Sequence, residues 1–113
     1  MNARVPSIDL LADLRVNYID RLHKRVENLS VFVQACRQGA VSDESISANH
    51  RCVHSMIGSA AIFGHPELSD SALTAERAFL ERTAGENETL INPIEQLLKN
   101  ANEVLNKTKV AAN

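Results

Sequence analysis

"HSMIGSAAIFG", residues His54 to Gly64, lies in the middle of a 113-residue chain and sets a glycine inside what otherwise reads as amphipathic helix. Glycine in a helix interior costs about 1 kcal/mol relative to alanine, so Gly58 calls for a physical reason. The choices are close packing, a helix end, or a partner that must reach the backbone. Gly64 reads differently. It is followed by His65 and Pro66, and proline suits the first position of a new helix. The stretch is therefore the second half of a helix that stops at Gly64, with another helix beginning immediately after it.

Working outward, "VSDESIS" supplies a start for this helix, with Ser42 or Asp43 as its cap, and its pattern runs to about Phe63. Two faces fit the apolar spacing: Asn49, Val53, Met56, Ala60 and Phe63, or Ile46, His50, Val53, Ile57 and Ala60. Periodicity alone leaves both open. After Pro66, the residues Leu68, Ala72, Ala75, Phe79 and Arg82 recur at helical spacing, and that helix is expected to end near Gly85. "GENET" reads as a loop. The last helix is expected from Thr89 or Asn92, with Pro93 tolerated in the first turn because its missing N–H would be unpaired there. Leu90, Ile94, Leu97, Ala101, Val104 and Thr108 form its stripe. Upstream, a helix is expected after Ser7, with Asp9 in its first turn and Gly39 as its C-terminal cap. Leu11, Leu14, Tyr18, Leu22, Val26, Leu29, Val33 and Cys36 give it one continuous apolar stripe. Four helices with short connections predict an all-α, antiparallel, up-down four-helix bundle. One domain over residues 1–113 is expected, with frayed ends at 1–6 and 109–113.

The composition suits that architecture. With no tryptophan and 4% aromatic residues, the core must be built from leucine, valine, isoleucine and alanine, and 4 glycines with 3 prolines give little material for a turn-rich β fold. A net charge of −2 and the lack of a basic stripe argue against nucleic-acid binding. No apolar run approaches the roughly 20 residues of a membrane span, and "MNARVPSIDLLADLR" lacks the apolar segment and cleavage site of a signal peptide. Cys36 and Cys52 show no CxxC spacing and read as reduced, partly buried thiols, so a cytoplasmic location is expected. A disulfide between them is the disfavoured alternative, since such bridges are rare in reducing compartments.

Chemistry-bearing residues are few. No phosphate-cradling glycine loop, GxSxG elbow or HExxH pair occurs, so hydrolase and kinase readings have no support. His23 lies among charges and His65 in a turn, and both read as solvated surface residues. His50 and His54 are four apart and share a helical face. Together with Cys52 they invite a metal reading, but Cys52 points elsewhere on the helix and two ligands make a weak site.

What remains is the histidine with a glycine four residues on, small residues at five to seven, a helix-breaking glycine at ten and a "PEL" restart. This resembles the histidine-containing phosphotransfer (HPt) family, whose motif reads roughly HxLKGSAxxxG, and the likeness extends from about Leu14 to Leu105. The resemblance implies that His54 is the phosphorylated histidine. Gly58 would leave room for a partner and the phosphoryl group, and Met56 would match an inward leucine, selecting the Val53, Met56, Ala60 and Phe63 face as core. His54, Ile57, Gly58 and Ala61 would then face solvent together as a docking surface, with His50 beside them. The family usually has lysine before the glycine, thought to help neutralise the phosphoryl group, whereas this chain has Ile57. Arg51, three residues before His54, is the candidate to supply that charge.

The function implied is relay of phosphoryl groups between response-regulator receiver domains, with a hybrid histidine kinase as a further partner. The chain would be a stoichiometric carrier without an ATP site or cofactor of its own. Mg²⁺ and the phosphorylated aspartate would belong to the receiver, and a monomer is expected. The alternative is a helical adaptor or inhibitor that docks a receiver or kinase without accepting phosphate. The dimerisation half of a histidine kinase fits less well, because that family places an acidic residue directly after its histidine and a proline soon after, whereas Ser55 follows here and the next proline is Pro66.

Overall fold

A computed structural model of the chain describes the backbone of residues 5–112 and the side chains of residues 10–108. Four α-helices follow in order: α1 (Val5–Gln38), α2 (Asp43–Ile62), α3 (Pro66–Glu81) and α4 (Ile91–Ala112). Each packs on two neighbours, α1 and α3 both lying against α2 and α4. This is the all-α four-helix bundle that the spacing predicts. The fraying expected at the two ends falls largely outside the described side chains.

The helix boundaries follow from local chemistry. At the start of α2, Ser42 is extended and its hydroxyl accepts from the Ser45 N–H at 3.0 Å, the N-cap arrangement that serves a donor with no partner inside the helix. α1 and α2 each stop at a left-handed glycine, Gly39 (φ 71°) and Gly64 (φ 82°). In both, the residue after the glycine reaches back five residues in a Schellman closure: Ala40 N–H to the Ala35 carbonyl, and His65 N–H to the Ala60 carbonyl. The reversal at Gly64 takes so little chain that Pro66 already begins α3.

Two expected boundaries move, and the start of the last helix falls between the two residues expected for it. α1 is already helical at Val5, so Ser7 does not mark its start. α3 ends at Glu81, and Arg82 has turned to extended backbone rather than continuing the helix to Gly85. A single 3₁₀ turn, Asn87–Leu90, precedes α4, which therefore opens at Ile91, with Pro93 in its first turn as expected.

The core is one cluster drawn from all four helices. Leu22, Leu29, Met56, Leu68, Leu90, Ile94, Leu97 and Val53 are its largest fully buried side chains. Phe32 of α1 stacks on Phe79 of α3 across the bundle diagonal, centroids 5.9 Å apart. α2 and α3 make the closest pairing. Ala60, Ala72, Ala75 and Ser71 are all buried, and such small side chains let two helix axes approach. The Ser69 hydroxyl also donates across to the Ile57 carbonyl at 2.7 Å. Among the described residues, no buried side-chain nitrogen or oxygen lacks a hydrogen-bond partner.

The α1 stripe is core only from Tyr18 onward. Leu11 and Leu14, expected inside, are exposed, as are Leu10 and Val16. At about 1.5 Å per residue, 34 residues of α1 outrun the 20 of α2 and the 22 of α4, and its first turns have no helix to cover them. His65 is likewise not the solvated residue the sequence suggests. Its Nδ1 lies 2.8 Å from the Tyr18 hydroxyl and its ring stacks on the Tyr18 ring. Burial, with Arg15 and Lys107 nearby, lowers its pKa. His23 is exposed as expected.

Candidate functional site

α2 presents its two sides to different surroundings. Ile46, Val53, Met56 and Ala60 are buried, so the core face takes members from both alternatives that periodicity left open. Asn49, His50 and Phe63 sit half-buried at its margins. On the opposite side His54, Gly58 and Ala61 are exposed together, with Arg51. Ile57 corrects the expectation of a wholly solvent-facing residue: it is half-buried and packs against the core. Its backbone carbonyl accepts from the Ser69 hydroxyl of α3. An apolar residue fits that place at least as well as a lysine.

Gly58 has no reason to be glycine within this chain. Its backbone is ordinary helix, and a Cβ built there would meet nothing within 4 Å. Neither packing nor a helix end explains it.

The decisive contact of the site is one that sequence reading missed. Glu76, on α3, lies alongside His54 with its Oε2 2.5 Å from Nδ1, and the same oxygen is 3.3 Å from His50 Nε2. A carboxylate brings no proton of its own, so both ring nitrogens are the donors. Glu76 keeps only 15% of its side-chain surface, whereas His54 keeps 71%. The ring of His54 is thus anchored through Nδ1 at a sheltered carboxylate, with Nε2 unengaged. His50 is stacked almost parallel on Phe79, centroids 5.2 Å apart at 5°. His50, Arg51, His54, Glu76 and Leu80 together line an open depression between α2 and α3. Glu76 is invisible to motif reading because it is 22 residues from His54. Its position four residues after Ala72 and one after Ala75, at the margin of the buried face of α3, was the available signal.

Arg25 was also missed. It reaches from α1 to donate to the Ser59 hydroxyl at 3.3 Å, placing a guanidinium beside the residue that follows Gly58. The cysteines are both unbridged. Cys36 is buried, Cys52 is half-buried on the α1 side, and burial raises both thiol pKa values. Cys52 takes no part in the His50–His54 cluster. The 2.5 Å between Nδ1 and Oε2 is a hydrogen bond and too short for two ligands of one zinc ion, each about 2.0–2.1 Å from the metal. Among the described residues no group of three or more histidine, cysteine or acidic side chains is arranged to hold a metal, and no helix is long and apolar enough to cross a membrane.

A family model, that of the Hpt domain, matches residues 13–107. No curated protein and no solved structure matches the chain at a significant level. The matched segment takes in most of the bundle, and with it the whole of α2 and the His54–Glu76 pair. The chain belongs to the Hpt domain family, whose members carry phosphoryl groups on histidine in phosphorelays.

Proposed function

We propose that the chain is a phosphoryl carrier in which His54 Nε2 accepts the group from the acyl phosphate of one receiver domain and yields it to another. The observation that carries this reading is the Nδ1–H bond to Glu76 beside an exposed Nε2. A neutral imidazole holds one proton. Keeping it on Nδ1 leaves the lone pair on Nε2, directed away from the bundle. Attack in line forms the Nε2–P bond and breaks the P–O bond to the aspartyl carboxylate, which departs with the electron pair. The ring is then positively charged with its proton still on Nδ1, next to the Glu76 carboxylate. No proton has to move in either direction, which suits a reversible relay. This is the division of labour in which a carboxylate holds a histidine's tautomer and stabilises its cation.

The remaining residues serve approach and charge. Gly58 and Ala61 leave the backbone beside His54 bare, and Ile57 offers the apolar edge that the core does not cover. Arg51, lining the same depression, supplies positive charge toward the phosphoryl oxygens, since phosphoryl transfer needs chiefly alignment and charge neutralisation. The receiver brings Mg²⁺ and the phosphorylated aspartate, and this chain needs no cofactor or ATP site. It acts as a monomer and a single domain in the cytoplasm, in transient complexes of modest area, with a hybrid histidine kinase as a further source of phosphate.

Incubation with a panel of phosphorylated receivers tests the reading. The wild-type chain should gain acid-labile phosphate and His54→Gln should gain none. A chain that binds receivers without acquiring label would be a docking adaptor instead, the reading that Ile57 in place of lysine would favour.

A further inference from the structure

We infer that His50 is a positioning residue for His54, acting through the carboxylate the two share. The inference rests on His54 being the phosphoacceptor, and it concerns what holds Glu76 in place. A glutamate side chain turns about several bonds, and one hydrogen bond from the exposed His54 ring would not by itself fix it. His50 supplies a second, better-anchored donor. Its ring lies flat on Phe79. Phe79 is itself buried and stacked against Phe32, so the plane of the His50 imidazole is set by the hydrophobic core. From there Nε2–H donates to Glu76 Oε2 at 3.3 Å. Both donors meet one oxygen, which has two lone pairs to receive them.

The three residues are brought together by two simple periodicities. His50 and His54 are one helical turn apart on α2, and Glu76 faces them from α3. Orientation therefore passes from Phe79 to His50, from His50 to Glu76, and from Glu76 to the Nδ1 of His54. In this role His50 acts through Glu76 rather than on the phosphoryl group. It keeps the carboxylate aimed so that the proton of His54 stays on Nδ1 and Nε2 stays nucleophilic.

Two substitutions separate this role from packing and from docking. His50→Phe keeps an aromatic ring on Phe79 and removes the donor. His50→Gln keeps an N–H donor of similar reach. ¹⁵N chemical shifts of the His54 ring report its tautomer directly, without any transfer reaction. The wild type and His50→Gln should show Nδ1–H, whereas His50→Phe should shift toward the mixed, mainly Nε2–H pattern of an unrestrained imidazole. Transfer from a phosphorylated receiver should slow about tenfold in His50→Phe, with the half-saturating receiver concentration unchanged and with substantial recovery in His50→Gln. An unaltered His54 tautomer in His50→Phe would overturn the proposal, as would a loss seen wholly as weaker receiver binding. Failure of the wild type itself to take up phosphate would instead count against the carrier reading, and the ¹⁵N shifts would still decide the positioning role.

Discussion

Glu76 gives His54 a fixed orientation, and it does so from a different helix, so the reactivity of the site depends on how α3 is packed as well as on α2. In the proposed carrier the carboxylate matters in two ways: it accepts the hydrogen bond from Nδ1–H, and it would face the cationic ring once phosphate is attached. Glu76→Ala removes both and should slow phosphoryl uptake by roughly 10–100-fold, measured as label on His54 against time. Glu76→Gln keeps an acceptor oxygen without the charge and should fall between Glu76→Ala and wild type. In the proposed carrier Arg51 would act on the phosphoryl group. Arg51→Ala should slow transfer while leaving the His54 tautomer, read by ¹⁵N shifts, as it is in the wild type. An unchanged transfer rate would remove Arg51 from the account.

At the level of the helix, Gly58 trades stability for access. With open space around a Cβ at that position, Gly58→Ala should stabilise α2 by about 1 kcal/mol and raise Tm by about 4 °C. In the proposed docking the same methyl group would stand where a receiver approaches, so transfer should become slower as the fold becomes firmer. Thermal melts and labelling on one variant check both halves.

The reversal between α2 and α3 carries a second expectation. Burial, Arg15 and Lys107 lower the pKa of His65, so the folded state holds that proton less tightly than the unfolded chain. Its contribution to stability is present above the ordinary histidine pKa of about 6.5 and fades as pH falls through the lower folded value. Urea midpoints measured from pH 7.5 to 5 should therefore drop less in His65→Gln than in the wild type.

The same stretch marks where the sequence could and could not be read. The two glycine stops, the Ser42 cap and Pro66 at the head of α3 rest on single-residue backbone chemistry and were legible. So was the exposure of His54 on α2, because its neighbours repeat a known pattern. Glu76 and the Tyr18–His65 pair were not, since each joins residues 22 or 47 positions apart whose meeting depends on helix rotation and register. Ile57 was misplaced for the same reason. The motif put it on the docking face, but packing against the core turns it half inward.

For the whole molecule, the length of α1 is the main departure from a uniform bundle. The apolar spacing of Leu11, Leu14, Tyr18 and Leu22 is continuous, and periodicity cannot tell where the other three helices stop covering it. Burial begins at Tyr18, so two substitutions of the same chemistry should behave differently. Leu22→Ala, in the fully buried layer, should cost about 2–5 kcal/mol. Leu11→Ala, exposed on the overhanging turns, should stay within about 0.5 kcal/mol. Chemical denaturation of the two variants tests where the bundle ends.

The bundle itself holds one ring still. Its α2–α3 pairing sets His54 beside Glu76, which in the proposed function confines the chemistry to a single nitrogen. The most direct measurement is a ¹H–¹⁵N long-range correlation spectrum of ¹⁵N-histidine-labelled protein, recorded before and after reaction with a phosphorylated receiver. One imidazole, that of His54, should acquire a phosphoryl group on Nε2 while its Nδ1 remains protonated. Phosphate on Nδ1, or on any of the other histidines, would contradict the account.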